Sequence, residues 1–518
     1  MKKRKWLALL GLLLFFLAIL GLFWAEKGNE QANIHSLRDA IWYALVTVTT
    51  VGYGDYAPIT FWGRFFGILF VLMSFGFFAL MISTVLSLMT GRLLPSFRLW
   101  FYRKHRWFVF SRADADAEFL AQDLLVSDPG AFVIFCHQQD AELSGQRRII
   151  RIPASPESLL EGHEHAAGGE RILLLWGEHL ENLALTCRLA SRVQQTVFKC
   201  QEAPGTLPQG VLPFDRNSAV ARQYWLKHPL GSGDQTILLI GEGALASAFL
   251  SHTLKINVRQ PFARTEIHVF GNWEAFRHAH YQLGNFLSLG SVQPDRDSLF
   301  FHESGWDSDA SLLARANRIL FCFDSSDENA KAAIRLYTWF PTDAEVWASG
   351  ESGMPGIQND DETREIMTRE IVLREGLNRL AQAMHAIYQK ESGNGIPAWQ
   401  ELSPFLRESN IAAADHLAVK ARLLLGTSGE GKPTREEWKK ALALYQAADA
   451  DLHEKCLKNE HERWMRFHSL YNWQYGEKRD NQKRLHPCML PWDALSEEEK
   501  SRDAYAWTLL ALEAEEET

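Results

Sequence analysis

The sequence predicts a helical membrane part, two α/β units and a mainly α C-terminal module. Three observations predict it. Two long uncharged apolar runs, 6–25 and 65–91, lie within the first hundred residues. Short strand-like apolar runs alternate with helical patterns from residue 107 to about 350. Beyond that, apolar positions keep helical spacing. The 518 residues suffice for three or four domains. Charge divides along the same line. Residues 1–106 hold 12 Lys+Arg and 4 Asp+Glu, a net of +8, so the overall −9 leaves −17 on the remainder. A basic membrane part and an acidic soluble part argue against nucleic acid as a partner. The six cysteines are scattered, with no Cys-x-x-Cys pair and no histidine cluster at metal-ligand spacing. Neither a disulfide framework nor structural zinc is expected.

The first run, after Lys2, Lys3, Arg4 and Lys5, gives 20 uncharged residues, about 30 Å as a helix. A basic start before an apolar core also suits a signal peptide. The length of the run, and Gly21-Leu22-Phe23-Trp24 in place of a small-x-small cleavage site, favour a retained helix. Trp6 and Trp24 stand at its two ends, as interfacial aromatics do. The second run has 27 uncharged residues between Arg64 and Arg92, about 40 Å at helical rise. Arg98, Arg103, Lys104 and Arg106 follow it, so both termini are expected in the cytoplasm.

Between the runs, residues 36–49 suit a short apolar helix with Ser36 as N-cap. Thr47-Val48-Thr49-Thr50-Val51-Gly52-Tyr53-Gly54-Asp55 comes next. A dehydrated potassium ion needs a ring of oxygens, and backbone carbonyls of Thr50, Val51, Gly52 and Tyr53 from four copies of such a loop supply it. Gly52 and Gly54 permit the alternating dihedrals that aim those carbonyls one way. Thr50 to Gly54 is the selectivity-filter pentapeptide of potassium channels, and residues 1–94 resemble the two-helix members of that family. The resemblance implies that Trp42 and Tyr43 form an aromatic cuff around the filter and that Trp42 reaches Asp55. It places Val46 where some members carry a glutamate. It sets Ser74 at the usual inner-helix glycine, with Gly67 and Gly76 as the other hinge candidates. One filter copy cannot encircle an ion, so a homotetramer in a lipid bilayer is expected. No arginine-rich voltage-sensor helix precedes the pore, and gating is expected from the soluble part.

In the α/β part, apolar runs at 107–110, 132–135, 172–175 and 197–198 read as buried parallel strands. A second series follows Gly231-Ser232-Gly233, with strands at 236–240, 267–270, 299–302, 319–323 and 345–348. The strand 236–240 leads into Gly241-Glu242-Gly243-Ala244, the Gly-x-Gly-x-x-Ala turn of dinucleotide-binding folds. Gly241, Gly243 and Ala244 are therefore phosphate-binding candidates, with tight strand-to-helix packing as the other reading. The second strand ends in Asn272 rather than an acid, against NAD chemistry and a redox cofactor. The first unit has Ser111-Arg112-Ala113-Asp114 in place of the glycines. Two tandem Rossmann-like units behind a pore resemble the regulator-of-potassium-conductance domains of ligand-gated channels. That resemblance implies a cytoplasmic ring, with calcium among the family's ligands.

The tail carries Asn459-Glu460-His461-Glu462-Arg463-Trp464, Trp473-Gln474-Tyr475-Gly476 and Lys483-Arg484-Leu485-His486-Pro487. Residues 435–518 resemble the repeat domain first described in ryanodine receptors, a small, mainly helical regulatory module. Trp473 and Tyr475 are candidates to stack a base, and Arg463, Arg479, Lys483 and Arg484 to hold phosphates. Burial of the tryptophans in a core is the competing reading.

The expected organisation is a pore over 1–94, a linker over 95–106, α/β units over 107–230 and 231–352, a helical connector over 353–430 and the repeat over 431–518. The expected function is a non-enzymatic, potassium-selective channel of a bacterial inner membrane. Its expected ligand is a small cytoplasmic molecule such as an adenine nucleotide or a cyclic ADP-ribose relative. Calcium gating and a partner-recruiting repeat are the alternatives.

Overall fold

In the computed structural model the chain divides into two units, residues 1–103 and 104–518. Described are residues 2–88, 94–137, 148–161, 169–201, 207–350, 357–358, 362–392, 395–427 and 431–515. The first unit contains α1 (Lys2–Glu26), α2 (Leu37–Val48), α3 (Phe61–Leu88) and a short helix Leu94–Phe101. The last of these lies in the stretch expected to be linker.

α2 starts at a capping box: the Asp39 amide donates to Ser36 Oγ, and the Ser36 amide donates to Asp39 Oδ2. α3 starts at Phe61, not at Phe65 as the uncharged run implied. Thr60 Oγ1 accepts from the Gly63 amide at 2.9 Å, and this cap draws Arg64 into the helix. Residues Phe61–Ser83 are long and apolar enough to cross a membrane, and Leu14–Glu26 form a shorter apolar helix. The expected end of the span at Gly91 lies outside the described residues. Ala18, Ile19 and Leu22 of α1, Ala40, Ala44 and Val48 of α2, and Phe70 of α3 share one buried core.

Among the described residues the second unit holds two large, wholly parallel sheets and one two-stranded pair. The first contains β1 (Arg106–Phe110), β2 (Ala131–Phe135), β3 (Ile149–Arg151), β4 (Arg171–Leu175), β5 (Gln195–Lys199) and β6 (Val211–Phe214). Their order is β3-β2-β1-β4-β5-β6, the doubly wound arrangement. The second contains β7 (Gln235–Ile240), β8 (Thr265–Phe270), β9 (Ser288–Leu289), β10 (Ser298–His302), β11 (Arg318–Phe321), β12 (Glu345–Ala348) and β13 (Ile357–Gln358). Their order is β13-β12-β11-β7-β8-β10-β9. The nine strands legible as apolar runs are all present. The four others, β3, β6, β9 and β13, are short and lie at or next to sheet edges, where one-sided burial leaves no continuous apolar run.

Beyond the second sheet, the connector and the C-terminal module share a core across residue 430. Trp399, Leu417 and Ala421 pack in one cluster with Trp438, Trp507 and Leu510. Buried polar contacts tie this bundle to the α/β part. Arg222 donates to both Asp415 oxygens at 2.8 and 2.9 Å. Asn459 Nδ2 donates to the carbonyls of Val258 and Gln260. Arg466 NH2 donates to Asp297 Oδ2 at 2.8 Å, with both side chains almost wholly buried.

Candidate functional site

The loop after α2 turns the chain back on the helix end. The amides of Val51 and Gly52 both donate to the Val46 carbonyl, at 3.0 and 3.2 Å. Thr50, Gly52 and Gly54 have φ of 59°, 60° and 75°, so every second residue is left-handed. An alternation of this kind is what aiming successive carbonyls to one side requires. The Trp42 indole N–H donates to Asp55 Oδ2 at 2.8 Å, and its ring lies parallel to that of Tyr53 with centroids 6.2 Å apart. Tyr43 turns away from the loop within this chain and meets Phe70 of α3 edge-on.

Two supports were not legible in the sequence. Asn33 Nδ2 donates to the Asp55 carbonyl at 2.9 Å, and its Oδ1 accepts from the Ala57 amide at 3.2 Å. Glu26, wholly buried, accepts from the amides of Ile59 and Thr60 and from the Thr60 hydroxyl. A carboxylate at the end of an apolar run carries no signal of a partner more than thirty positions downstream.

The glycine turn of the second sheet opens on a cleft of about 790 Å³. Gly241 and Gly243 have φ of 149° and 92°. A Cβ on Gly241 would stand 2.6 Å from the Cys322 carbonyl carbon, and one on Gly243 2.2 Å from Asp324 Oδ2. Tight packing therefore requires both glycines. Ala244 opens the helix Ala244–Ile256, and the Leu245 amide in its first turn donates to Asp324 Oδ1 at 3.2 Å. The protein's own carboxylate thus takes the place where a helix N-terminus would hold a phosphate. Glu242, Glu274 and Glu328 also line the cleft. Of the two readings of Gly241, Gly243 and Ala244, this geometry favours the packed turn.

The C-terminal candidates separate into two sets. Trp473 is buried, with its ring stacked on Phe405 at 5.3 Å, and has no face left for a base. Arg463 is buried against Glu460, with contacts of 2.5 and 3.0 Å. For both, burial favours the competing reading, a place in the core. The other set is exposed on the loop that joins the strands Gln474–Tyr475 and Leu485–His486. Tyr475, Arg479, Lys483 and Arg484 all face solvent there, with Lys478 beside them. Arg484 NH1 donates to the Tyr471 carbonyl at 2.8 Å and Arg479 Nε to Asn481 Oδ1 at 2.9 Å, contacts that orient two guanidinium groups.

The family described as "Ion channel" matches residues 8–91. Over these residues the chain is similar to the ion channels of that family. Potassium voltage-gated channel subfamily A member 5 of Mus musculus is 40% identical over 84 residues, 15% of this chain and 14% of that protein. Two-pore potassium channel 5 of Arabidopsis thaliana is 43% identical over 53 residues, 10% of this chain and 13% of that protein. The chain thus spans about one-seventh of the length of the curated relatives it matches. The RyR domain family matches residues 442–510. The solved GsuK channel bound to NAD aligns with 74% of this chain and 86% of its own, at 13% identity and a TM-score of 0.36. The ADP-bound form aligns with 72% and 99%, at 14% and 0.34. Scores this low carry no argument about ligands.

In the pore domain, α3 is helical through all three hinge candidates. A Cβ on Gly67 would stand 2.8 Å from the Tyr43 hydroxyl, so this glycine marks the close approach of α2 and α3. Ser74 is buried and donates to the Val71 carbonyl at 2.6 Å. Nothing lies within 4 Å of a Cβ on Gly76.

Proposed function

We propose that the chain is a potassium-selective channel of four identical subunits in a bacterial inner membrane, with both termini cytoplasmic, opened or closed by a small ligand of its soluble part. The observation that carries the reading is the loop after α2, whose residues 50, 52 and 54 are left-handed in alternation. Four such loops replace the hydration shell of potassium, and the bound ions are the only cofactor the conduction path needs. Ligand shifts a closed–open equilibrium by its difference in affinity for the two states.

The ligand proposed is nucleotide-like, an adenine nucleotide or a cyclic ADP-ribose relative. Its phosphates lie against Arg479, Lys483 and Arg484 and its base against Tyr475. The exposed loop supports this placement, since it has cations and an accessible ring together, whereas the acidic cleft at Gly243 repels phosphate. Potassium efflux from vesicles containing the full chain tests it. Nucleotide-dependent flux that Tyr475→Ala and Lys483→Gln weaken is expected. Unchanged nucleotide response in both variants refutes the placement, and flux without potassium selectivity refutes the whole reading. Calcium gating has less support: among the described residues, no three His, Cys, Asp or Glu side chains are grouped to hold a metal.

A further inference from the structure

We propose that the helix Leu94–Phe101 is an interfacial anchor that binds the anionic headgroup layer of the bilayer, an inference that rests on the proposed reading of α3 as a membrane span. Phe97, Trp100 and Phe101 are each more than half exposed, at 59%, 57% and 60%. Their rings form one patch, with centroids 5.9 Å apart for Phe97 and Trp100 and 6.5 Å for Phe97 and Phe101. Three large aromatic rings grouped on the surface of a short helix are costly in water. The Arg103 guanidinium lies 4.7 Å from the centre of the Trp100 ring and donates to the Trp100 carbonyl at 3.3 Å. Residues 94–104 contain Arg98, Arg103 and Lys104 and no acidic residue. Aromatic rings beside cations are the composition of the boundary between acyl chains and headgroups.

Chain continuity and charge identify the occupant. α3 is described as far as Leu88 and the short helix from Leu94. Six residue steps reach at most about 22 Å, so the helix stays beside the membrane surface that α3 leaves. Along α3 itself Phe65, Ile68, Leu72 and Phe75 are exposed apolar side chains, and the patch continues that character beyond the span. A second copy of the chain would bring like-charged arginines against these. Anionic lipid brings the opposite charge, each basic residue near the surface strengthening the attachment about fivefold.

The test uses the full chain with the exposed Cys187 replaced by serine and a spin label at Trp100→Cys, reconstituted in phosphatidylcholine vesicles with and without phosphatidylglycerol. A label at Phe75→Cys reports on α3, and one at Phe97→Cys repeats the measurement should the Trp100 variant not fold. The expected label at 100 collides with oxygen, is shielded from a water-soluble nickel chelate, and moves deeper with phosphatidylglycerol. Neutralising Arg98, Arg103 and Lys104 to glutamine is expected to abolish that deepening. A label at 100 open to the chelate while 75 is shielded overturns the anchor and leaves the span intact. A label at 75 open to the chelate overturns both. Spin–spin broadening at 100 with both collision probes excluded assigns the patch to contact between copies and overturns the proposal. Deepening produced by inorganic phosphate over pure phosphatidylcholine assigns the cations to a free anion and overturns it as well.

Discussion

Trp42 Nε1 and Asp55 Oδ2 join the outer end of the filter loop to the helix before it. Trp42→Phe keeps a ring to stack on Tyr53 and removes only the N–H donor. A hydrogen bond of this kind is worth about 0.5–1.5 kcal/mol. We expect Trp42→Phe to lower steady-state potassium flux by severalfold through loss of the conductive loop geometry, read in vesicles at matched protein density. Glu460 makes a second prediction at this scale. Burial alone would raise its pKa, but the Arg463 and Lys420 cations beside it hold the carboxyl down to about 2. Its folded value lies below the unfolded 4.5. Its contribution to stability is therefore present above about pH 4.5 and lost as pH falls toward 2. Glu460→Gln leaves two buried cations without their carboxylate, at a cost of about 3–5 kcal/mol near neutral pH. Denaturant unfolding of both proteins should show that difference shrinking across the acid window.

At the scale of elements, α3 separates its three hinge candidates by what surrounds them. Gly67 faces the Tyr43 hydroxyl, and Gly67→Ala presses a methyl against it. Overpacking of this sort costs about 1–3 kcal/mol, so Gly67→Ala should lower the thermal midpoint of the purified channel. Among the described residues, Gly76→Ala meets no atom within 4 Å. It gains up to about 1 kcal/mol of helix propensity and is expected to fold normally with an altered open fraction. Normal gating in Gly76→Ala removes it as the hinge. The glycine turn at the second sheet teaches the same lesson. Gly-x-Gly after a strand and before a helix was legible, and the strand, turn and helix are all there. Its occupant was not. Asp324 comes from the end of β11, 79 positions from the Leu245 amide it accepts, and no local pattern announces that pairing.

On the scale of the molecule, the C-terminal module is built into the soluble unit. Arg466 reaches Asp297 at the start of β10, and Asn459 bonds the Val258 and Gln260 carbonyls behind the second sheet. Removing residues 430–518 would strip Asp297 of its cation and expose the shared Trp399 and Leu417 core, so loss of ligand response after that deletion would not identify a sensor. Arg466→Met removes a guanidinium from the buried Asp297 carboxylate, which keeps the Thr265 amide, and we expect about 3–5 kcal/mol of lost stability, read by denaturant unfolding of the full chain. The sequence alone determined the helix α2, the loop glycines after it, the apolar length of α3 and the nine central strands. Each of these is written in contiguous residues, as an apolar period, a cap or a dihedral demand on glycine. Tertiary structure alone decided that Glu26 and Asn33 brace the pore loop, that Asp324 fills the glycine turn, and that Trp473 and Arg463 are core while Tyr475 and Lys483 face solvent. Except for the Arg463–Glu460 pair, three positions apart on one helix, those outcomes rest on partners 22 to 79 residues away, and such contacts leave no periodic trace along the chain.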